Sequence, residues 1–322
     1  MTSYIVNTIL LVVLSYVYIR IADRFNIIDK PNHRSSHTKS TIRGGGILFF
    51  LALLLFFVQS DFQYSYFVIG VSIIAIVSFV DDMYTLSSKV RLPFQLIALI
   101  LLVFQLFPDI QAWWIILGFS IVGIGFINIY NFMDGVNGIT GLYSLSVLAS
   151  YYIINYNEQI VNSDLIIFSA ISLLVFGYYN FRKKARFFAG DIGSISIAMI
   201  LFFIGLKMTL ALEAPILLTC FMLYGADALT TMVYRKYLRE KLTEAHRHHI
   251  YQKLVDVLKW SHLKVSIVYT LVQLLLNLVV FYTYEMDMIT QWYIYFGLIT
   301  LFILLYVALF RRIERVKTRS LK

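Results

Sequence analysis

Two adjacent carboxylates, Asp81 and Asp82, close an apolar run that ends Phe79-Val80, and Lys89 and Arg91 follow shortly after. Paired carboxylates suit two kinds of chemistry, binding of a hard divalent cation and proton transfer. If the apolar run is a helix, the pair sits at its carboxyl end and faces the negative pole of the dipole, so a positive partner is required. The bland alternative is an acidic pair in a solvated loop, screened by Lys89 and Arg91.

Further along, Asn128 and the stretch Asn131-Phe132-Met133-Asp134-Gly135-Val136-Asn137-Gly138 contain neither Lys nor Arg. Asn, Asp and Gly favour tight turns; the same residues also suit a loop whose amides read a nucleotide while Asp134 approaches a phosphate-bound metal. The segment Phe188-Ala189-Gly190-Asp191-Ile192-Gly193-Ser194 follows Arg182, Lys183, Lys184 and Arg186. Asp191 fits an N-cap, but a helix amino terminus also offers free backbone N–H groups to an anion, and an Asp there could hold a metal against it.

Three of the six histidines, His246, His248 and His249, flank Arg247 in a run that continues to Tyr251 and Lys253. With no Cys and no fourth spaced ligand, contact with phosphate or sugar is favoured over zinc. His37 and Arg43 precede Gly44-Gly45-Gly46, and three consecutive glycines allow backbone to approach a ligand such as a lipid phosphate closely. Asp227 lies within an apolar run, where carboxylates are costly and tend to be functional; Arg235 is a candidate partner. Cys220, the single cysteine, reads as a packing residue.

The elements that must position these groups follow from composition. The 322 residues are 60% hydrophobic and 14% charged, with a mean hydropathy of +0.77. Soluble domains carry about a quarter charged residues, so a cytosolic enzyme, a disordered chain and a disulfide scaffold are excluded. Apolar runs at 4–21, 44–58, 62–80, 93–107, 113–130, 139–155, 164–180, 192–210, 214–233, 265–284 and 291–310 predict an all-α, polytopic membrane bundle of about eleven transmembrane helices forming a single domain, 1–322. The connections 20–43, 81–92, 181–191, 234–264 and the tail from Arg311 hold 26 of the 27 Lys and Arg, and Lys207 is the exception. The positive-inside rule then places the amino terminus outside and the carboxyl terminus in the cytoplasm. Every polar motif falls on the cytoplasmic face, in loops 20–43, 81–92, 131–138, 181–191 and 234–264. The net charge of +9 is accounted for by topology and membrane lipids, without a nucleic-acid partner. Helix-spaced apolar residues with interleaved Lys and Arg at 234–242 and 250–260 predict helices lying on the inner interface.

With these motifs in this order, the chain resembles the polyprenyl-phosphate N-acetylhexosamine-1-phosphate transferases. The resemblance rests on Asp81-Asp82 through Arg91, Asn128 through Gly138, Phe188 through Ser194 and the His246–His249 run. Ser35-Ser36-His37 to Gly46 and Ala245 to Gln252 are most similar to the bacterial branch that initiates O-antigen and related surface polysaccharides. Asn137 stands where other branches place Asp, so a metal role for that position is not carried over.

The resemblance implies an enzyme of the bacterial cytoplasmic (inner) membrane that transfers a sugar-1-phosphate from a UDP-N-acetylhexosamine to undecaprenyl phosphate and releases UMP. It implies Mg²⁺, with Mn²⁺ as an alternative, and Asp191 as its protein ligand. Asp81 and Asp82 would bind or deprotonate the lipid phosphate, unranked. Asn131 and Asp134 would position nucleotide and metal, and Asn128, Lys89, Arg91, Arg43, His37, His246, His248 and His249 would contact substrates. A homodimer is left open. The competing class is a secondary transporter with carboxylate ion sites, which would place them near the bilayer midplane in repeated halves; no internal repeat is present.

Overall fold

A backbone that crosses hydrocarbon must satisfy its own N–H and C=O groups, and a helix does so within one segment. The computed structural model describes residues 2–29, 40–109, 112–241 and 247–320. Each apolar run becomes a helix: α1 (Thr2–Arg24), α2 (Ile47–Gln59), α3 (Ser65–Tyr84), α4 (Ser88–Leu106), α5 (Trp113–Phe132), α6 (Ile139–Glu158), α7 (Ser163–Asn180), α8 (Gly190–Ala211), α9 (Met222–Tyr237), α11 (His262–Thr283) and α12 (Met288–Ser320). A 3-10 turn, Pro215–Phe221, leads into α9, and α10 (Ile250–Asp256) is a short amphipathic helix.

Nine of these segments, among the described residues, are long and apolar enough to cross a membrane. The remaining two runs differ for separate reasons. Helix α2 has only 13 residues, about 20 Å of rise, and α6 has 20 residues diluted by Thr140, Ser144, Ser146, Ser150 and Asn155. Both pack inside the bundle, so neither needs a wholly apolar surface. The expected interfacial helix at 234–242 is not a separate element: α9 continues to Tyr237 and the chain then turns. Only α10 matches that expectation, burying Ile250, Tyr251 and Leu254.

At the centre stands α8, buried along nearly its whole length, against α2, α3, α5, α6 and the 3-10 turn. The outermost helix, α12, leaves large apolar side chains such as Leu301, Leu304 and Leu305 exposed, as a lipid-facing helix should.

The connections sort to two ends. At one, Ser3 donates to Gln59 (2.7 Å), Tyr4 to Asp164 (2.7 Å) and Tyr284 to Glu158 (3.1 Å). At the other, Arg43 meets Asp82 and Asp191, Asn137 donates to the Arg182 carbonyl, and Tyr251 donates to the Phe132 carbonyl. The basic connections therefore share one end, as the alternation of charge requires. Lys207, the exception, lies over the Tyr64 ring, 5.8 Å from its centroid.

A small patch of extended chain closes the basic end. Strands β1 (Ile28–Asp29) and β2 (Thr41–Ile42) pair antiparallel with Ile28 opposite Ile42, and Ile42 bridges Phe187 in parallel. Gly45 and Gly46 then donate to the carbonyls of Phe188 (2.8 Å) and Ala189 (2.9 Å). This zipper brings the start of α2 onto the start of α8 at backbone distance: a Cβ on Gly193 would lie 2.6 Å from the Cα of Gly46.

That close approach is testable. Gly193→Ala is expected to destabilise the protein by about 1–3 kcal/mol through overpacking. Gly118→Ala, on an open face of α5, is expected to be neutral or to stabilise by up to about 1 kcal/mol. Thermal unfolding in detergent distinguishes them, and equal shifts would contradict the packing described.

Candidate active site

The carboxyl end of α3 and the amino end of α8 meet through one side chain. Both oxygens of Asp82 accept backbone N–H groups of α8, from Asp191 (2.8 Å) and Ile192 (3.1 Å). An acid that opposes its own helix dipole is thus stabilised by the positive pole of another. Gly190 permits this: its φ is +73°, and a Cβ there would lie 2.5 Å from Asp82 Oδ2 and 2.7 Å from the amide of Gly44. Gly44, itself at φ +76°, leaves room for the Tyr18 hydroxyl, which donates to the Arg43 carbonyl. The glycine run expected to admit a ligand instead lets the chain approach itself. Likewise the first α8 amides, expected to be free for an anion, are taken by Asp82.

Around this cap the charges interlock. Arg43 Nε lies 2.7 Å from Asp82 Oδ1, and its terminal nitrogen 3.1 Å from Asp191 Oδ1. Arg91 reaches Asp81 Oδ2 at 2.7 Å and Asp191 Oδ2 at 3.1 Å. The second Asp81 oxygen accepts the amide of Leu86, where the chain turns back after α3. Asp191 therefore bridges two guanidinium groups, and three carboxylates face two arginines. Burial by itself would favour loss of the Arg43 charge, but Asp82, Asp191 and Asp29 outweigh it and hold its pKa above the ordinary value. Lys89 is exposed and forms no ion pair among the described residues; Arg91 alone of that pair supplies the compensation expected for Asp81.

The α5–α6 connection lies beside this cluster. Asn131 accepts a hydrogen bond from the Ser194 hydroxyl at 2.9 Å, tying α5 to α8. Asp134 accepts from Thr140 at 2.6 Å. Burial pushes its carboxyl up to about 7, with Thr140 and Arg43 opposing the shift and the charge of Asp82 adding to it. Asn128 donates to Gln95 (3.1 Å) and to the carbonyl of Ile124 in its own helix (2.8 Å). Asn137 donates to the Arg182 carbonyl at 2.9 Å and its carbonyl accepts from Ser266 of α11 at 2.8 Å, so it fastens two connections and α11 together.

The histidines separate. His248 pairs with Glu240 at 3.0 Å, partly exposed. His249 is buried, its Nδ1 3.3 Å from Asp227 Oδ1. Asp227 is thus engaged by His249, and Arg235, its expected partner, pairs with Glu240 at 3.2 Å. His37 and His246 lie outside the described residues. Tyr18 and Thr140 are not singled out by sequence, and Ser194 and Tyr251 are named there only as members of longer motifs; hydroxyls are too common in such helices to signal a role without neighbours in space.

Among the described residues, no three carboxylate, imidazole or thiol groups converge to enclose a metal ion. The arrangement fits an ion held by one carboxylate and completed by substrate phosphate and water, which is the habit of Mg²⁺. Asp191 is the best placed, with 14% of its side chain exposed against 6% for Asp81 and none for Asp82.

Two outcomes follow. Replacing Asp82 by Asn removes one strong acceptor and its charge, and an expected loss of about 1–3 kcal/mol should appear in denaturant unfolding; no loss would contradict the cap. Because the Asp134 pKa is raised, its carboxyl is neutral below about 7 in the folded protein, while the unfolded group ionises near 4. Its contribution to stability therefore falls as pH rises between those values. Any ligand that needs its carboxylate should release a proton on binding. Titration of Mg²⁺ with a UDP-sugar, whose diphosphate has no group ionising near pH 6, in buffers of different ionisation enthalpy, should show release at about pH 6 and little at about pH 8, and none in Asp134→Asn.

Comparison with known proteins agrees with this geometry. The model of glycosyl transferase family 4 matches residues 64–209, from the start of α3 to the end of α8, and so spans Asp81, Asp82, Asp134 and Asp191. A Bacillus subtilis protein named as a probable undecaprenyl-phosphate N-acetylglucosaminyl 1-phosphate transferase is 24% identical over 292 residues, 83% of this chain and 80% of its own length. A phospho-N-acetylmuramoyl-pentapeptide-transferase of Thermotoga neapolitana is 24% identical over 258 residues, 73% of this chain and 82% of that one. One of the same name from Streptococcus suis is 27% identical over 169 residues, about half of each chain. The acidic pair, the Asn-Asp loop and the Gly-Asp turn all lie inside the matched segment and gather at one end of the bundle, and over residues 64–209 the chain is similar to glycosyl transferase family 4.

Proposed function

We propose that this protein transfers a sugar-1-phosphate from a UDP-N-acetylhexosamine to undecaprenyl phosphate at the cytoplasmic membrane face, as the first step in making a surface polysaccharide such as O-antigen. The observation that carries the reading is the Asp191 carboxylate held between Arg43 and Arg91 at one end of a membrane bundle. Phosphate chemistry at a membrane surface needs both a metal ligand and cations that can turn to phosphate oxygens. The names of the Bacillus and Thermotoga relatives support the reaction class. The carboxylates lie at helix ends, which suits an interfacial reaction better than ion sites of a transporter.

In the reaction, a phosphate oxygen of the lipid attacks the β-phosphorus of the donor. The bond from that phosphorus to the bridging oxygen breaks, and UMP leaves. A phosphate monoester has its second pKa near 6, so the acceptor is already largely dianionic at neutral pH and needs little help from a base. Asp82 therefore serves as the cap that fixes α8, and Asp81 orients Arg91. Asp191 would hold Mg²⁺, which when bound neutralises the charge of the diphosphate. Arg43 and Arg91 would then engage phosphate oxygens, and Asn131 and Asp134 would line the nucleotide side. An apolar cavity of about 560 Å³ between α5, α8, α9 and α12, lined by Phe126, Ile129, Tyr224 and Val307 among others, suits the prenyl chain.

Purified protein with undecaprenyl phosphate, a panel of UDP-sugars and Mg²⁺ should release UMP only when lipid and the matching sugar nucleotide are both present. Asp191→Asn should lower the rate by at least about a hundredfold, or about 2.7 kcal/mol in the barrier. UMP release independent of the lipid, or a near wild-type rate in that variant at limiting Mg²⁺, would contradict the assignment.

A further inference from the structure

Asp227 is fully buried inside α9, yet the reaction above gives it no part. Its Oδ1 accepts the amide of Ile250 at 2.9 Å and lies 3.3 Å from His249 Nδ1. Its Oδ2 accepts the Tyr269 hydroxyl at 2.6 Å and the amide of Tyr251 at 3.3 Å. One carboxylate thus holds the first turn of α10, the His249 ring and a tyrosine of α11. Capping alone does not require this arrangement. A Ser or Asn at position 249 would cap α10 locally, whereas a carboxylate within a membrane helix is costly.

The grip extends beyond α10. The His249 ring stacks on Tyr251 with centroids 5.6 Å apart, and the Tyr251 hydroxyl donates to the carbonyl of Phe132, the last residue of α5, at 2.9 Å. The next glycine, Gly135, lies so flat against Tyr251 that a Cβ there would collide with its hydroxyl. Asp134 stands between those two contacts. We infer that Asp227 is a positioning residue that sets the His249 imidazole and, through Tyr251, holds the Asp134 loop in register with it. An ionised Asp227 accepts from Nδ1–H, which fixes the imidazole tautomer. The two donor-side segments, distant in sequence, are then aligned by one buried acid. The functional half of this inference rests on His249 and Asp134 acting on the soluble donor.

The test combines a structural arm with a kinetic one, in full-length protein in lipid nanodiscs. By hydrogen–deuterium exchange, Asp227→Asn should raise exchange at 249–253 and also at 132–138, with no change in α7. Tyr251→Phe, which leaves the Asp227 contacts in place, should raise it at 132–138 alone and covers the case in which the first variant folds poorly. A rise confined to 249–253 in Asp227→Asn, or none at 132–138 in Tyr251→Phe, overturns the inference. In transfer assays, Asp227→Asn and His249→Ala should each lower kcat/KM for the donor by about ten- to a hundredfold, with the KM for undecaprenyl phosphate unchanged. The double variant should lose no more than about threefold beyond the worse single one. Additive losses, or equal losses toward both substrates, overturn positioning through His249. Transfer that survives in both His249→Ala and Asp191→Asn overturns the proposed reaction instead, and the exchange arm still decides whether Asp227 aligns the two segments.

Discussion

The hydrogen bonds from the first amides of α8 to the Asp82 carboxylate are the contact on which the rest of this end depends. They join the unfavourable pole of α3 to the favourable pole of α8, so a charge that either helix would carry poorly alone is stabilised by both. Because the cap comes from another helix, the start of α8 is fixed in space as well as terminated. Asp191, one residue into α8, is thereby presented between Arg43 and Arg91. The glycines follow from the same constraint: Gly190 and Gly44 have positive φ and no room for a side chain, and Gly46 and Gly193 touch backbone to backbone.

The molecule uses the device twice. Asp227 caps α10 from within α9 much as Asp82 caps α8 from the end of α3, and each acid also holds a cationic or titratable side chain, His249 in one case and Arg43 in the other. In a membrane bundle, where apolar packing between helices brings little net gain over packing against lipid, buried and fully bonded carboxylates define register between helices well. Their cost is met by the several donors around each, and removing one partner would leave a buried charge exposed to that cost.

Much of this was legible in the sequence, for identifiable reasons. Helices are read from long apolar runs, which is why eleven runs became eleven helices, nine of them, among the described residues, long and apolar enough to cross a membrane. The acidic pair, Asp134 and Asp191 stand out because carboxylates at the ends of apolar helices need an explanation. Partnerships were less legible. Arg235 is near Asp227 in sequence, but the acid turns to His249 and Tyr269, contacts that only the packing of α9, α10 and α11 creates. The α8 amides read as free because nothing local caps them, and the cap comes from 109 residues upstream. The Gly44–Gly46 run signalled close approach correctly, but the approaching partner is the chain's own 187–193 segment.

In the proposed reaction, Asp82 belongs to the scaffold and Asp191 to the chemistry. A structure determined with Mg²⁺ and a UDP-sugar bound would test it most directly. The expected result keeps Asp82 on the amides of Asp191 and Ile192 while Asp191 leaves its arginines for the ion, and Arg43 and Arg91 face phosphate. Asp82 displaced, with a phosphate oxygen on those amides in its place, would contradict the account.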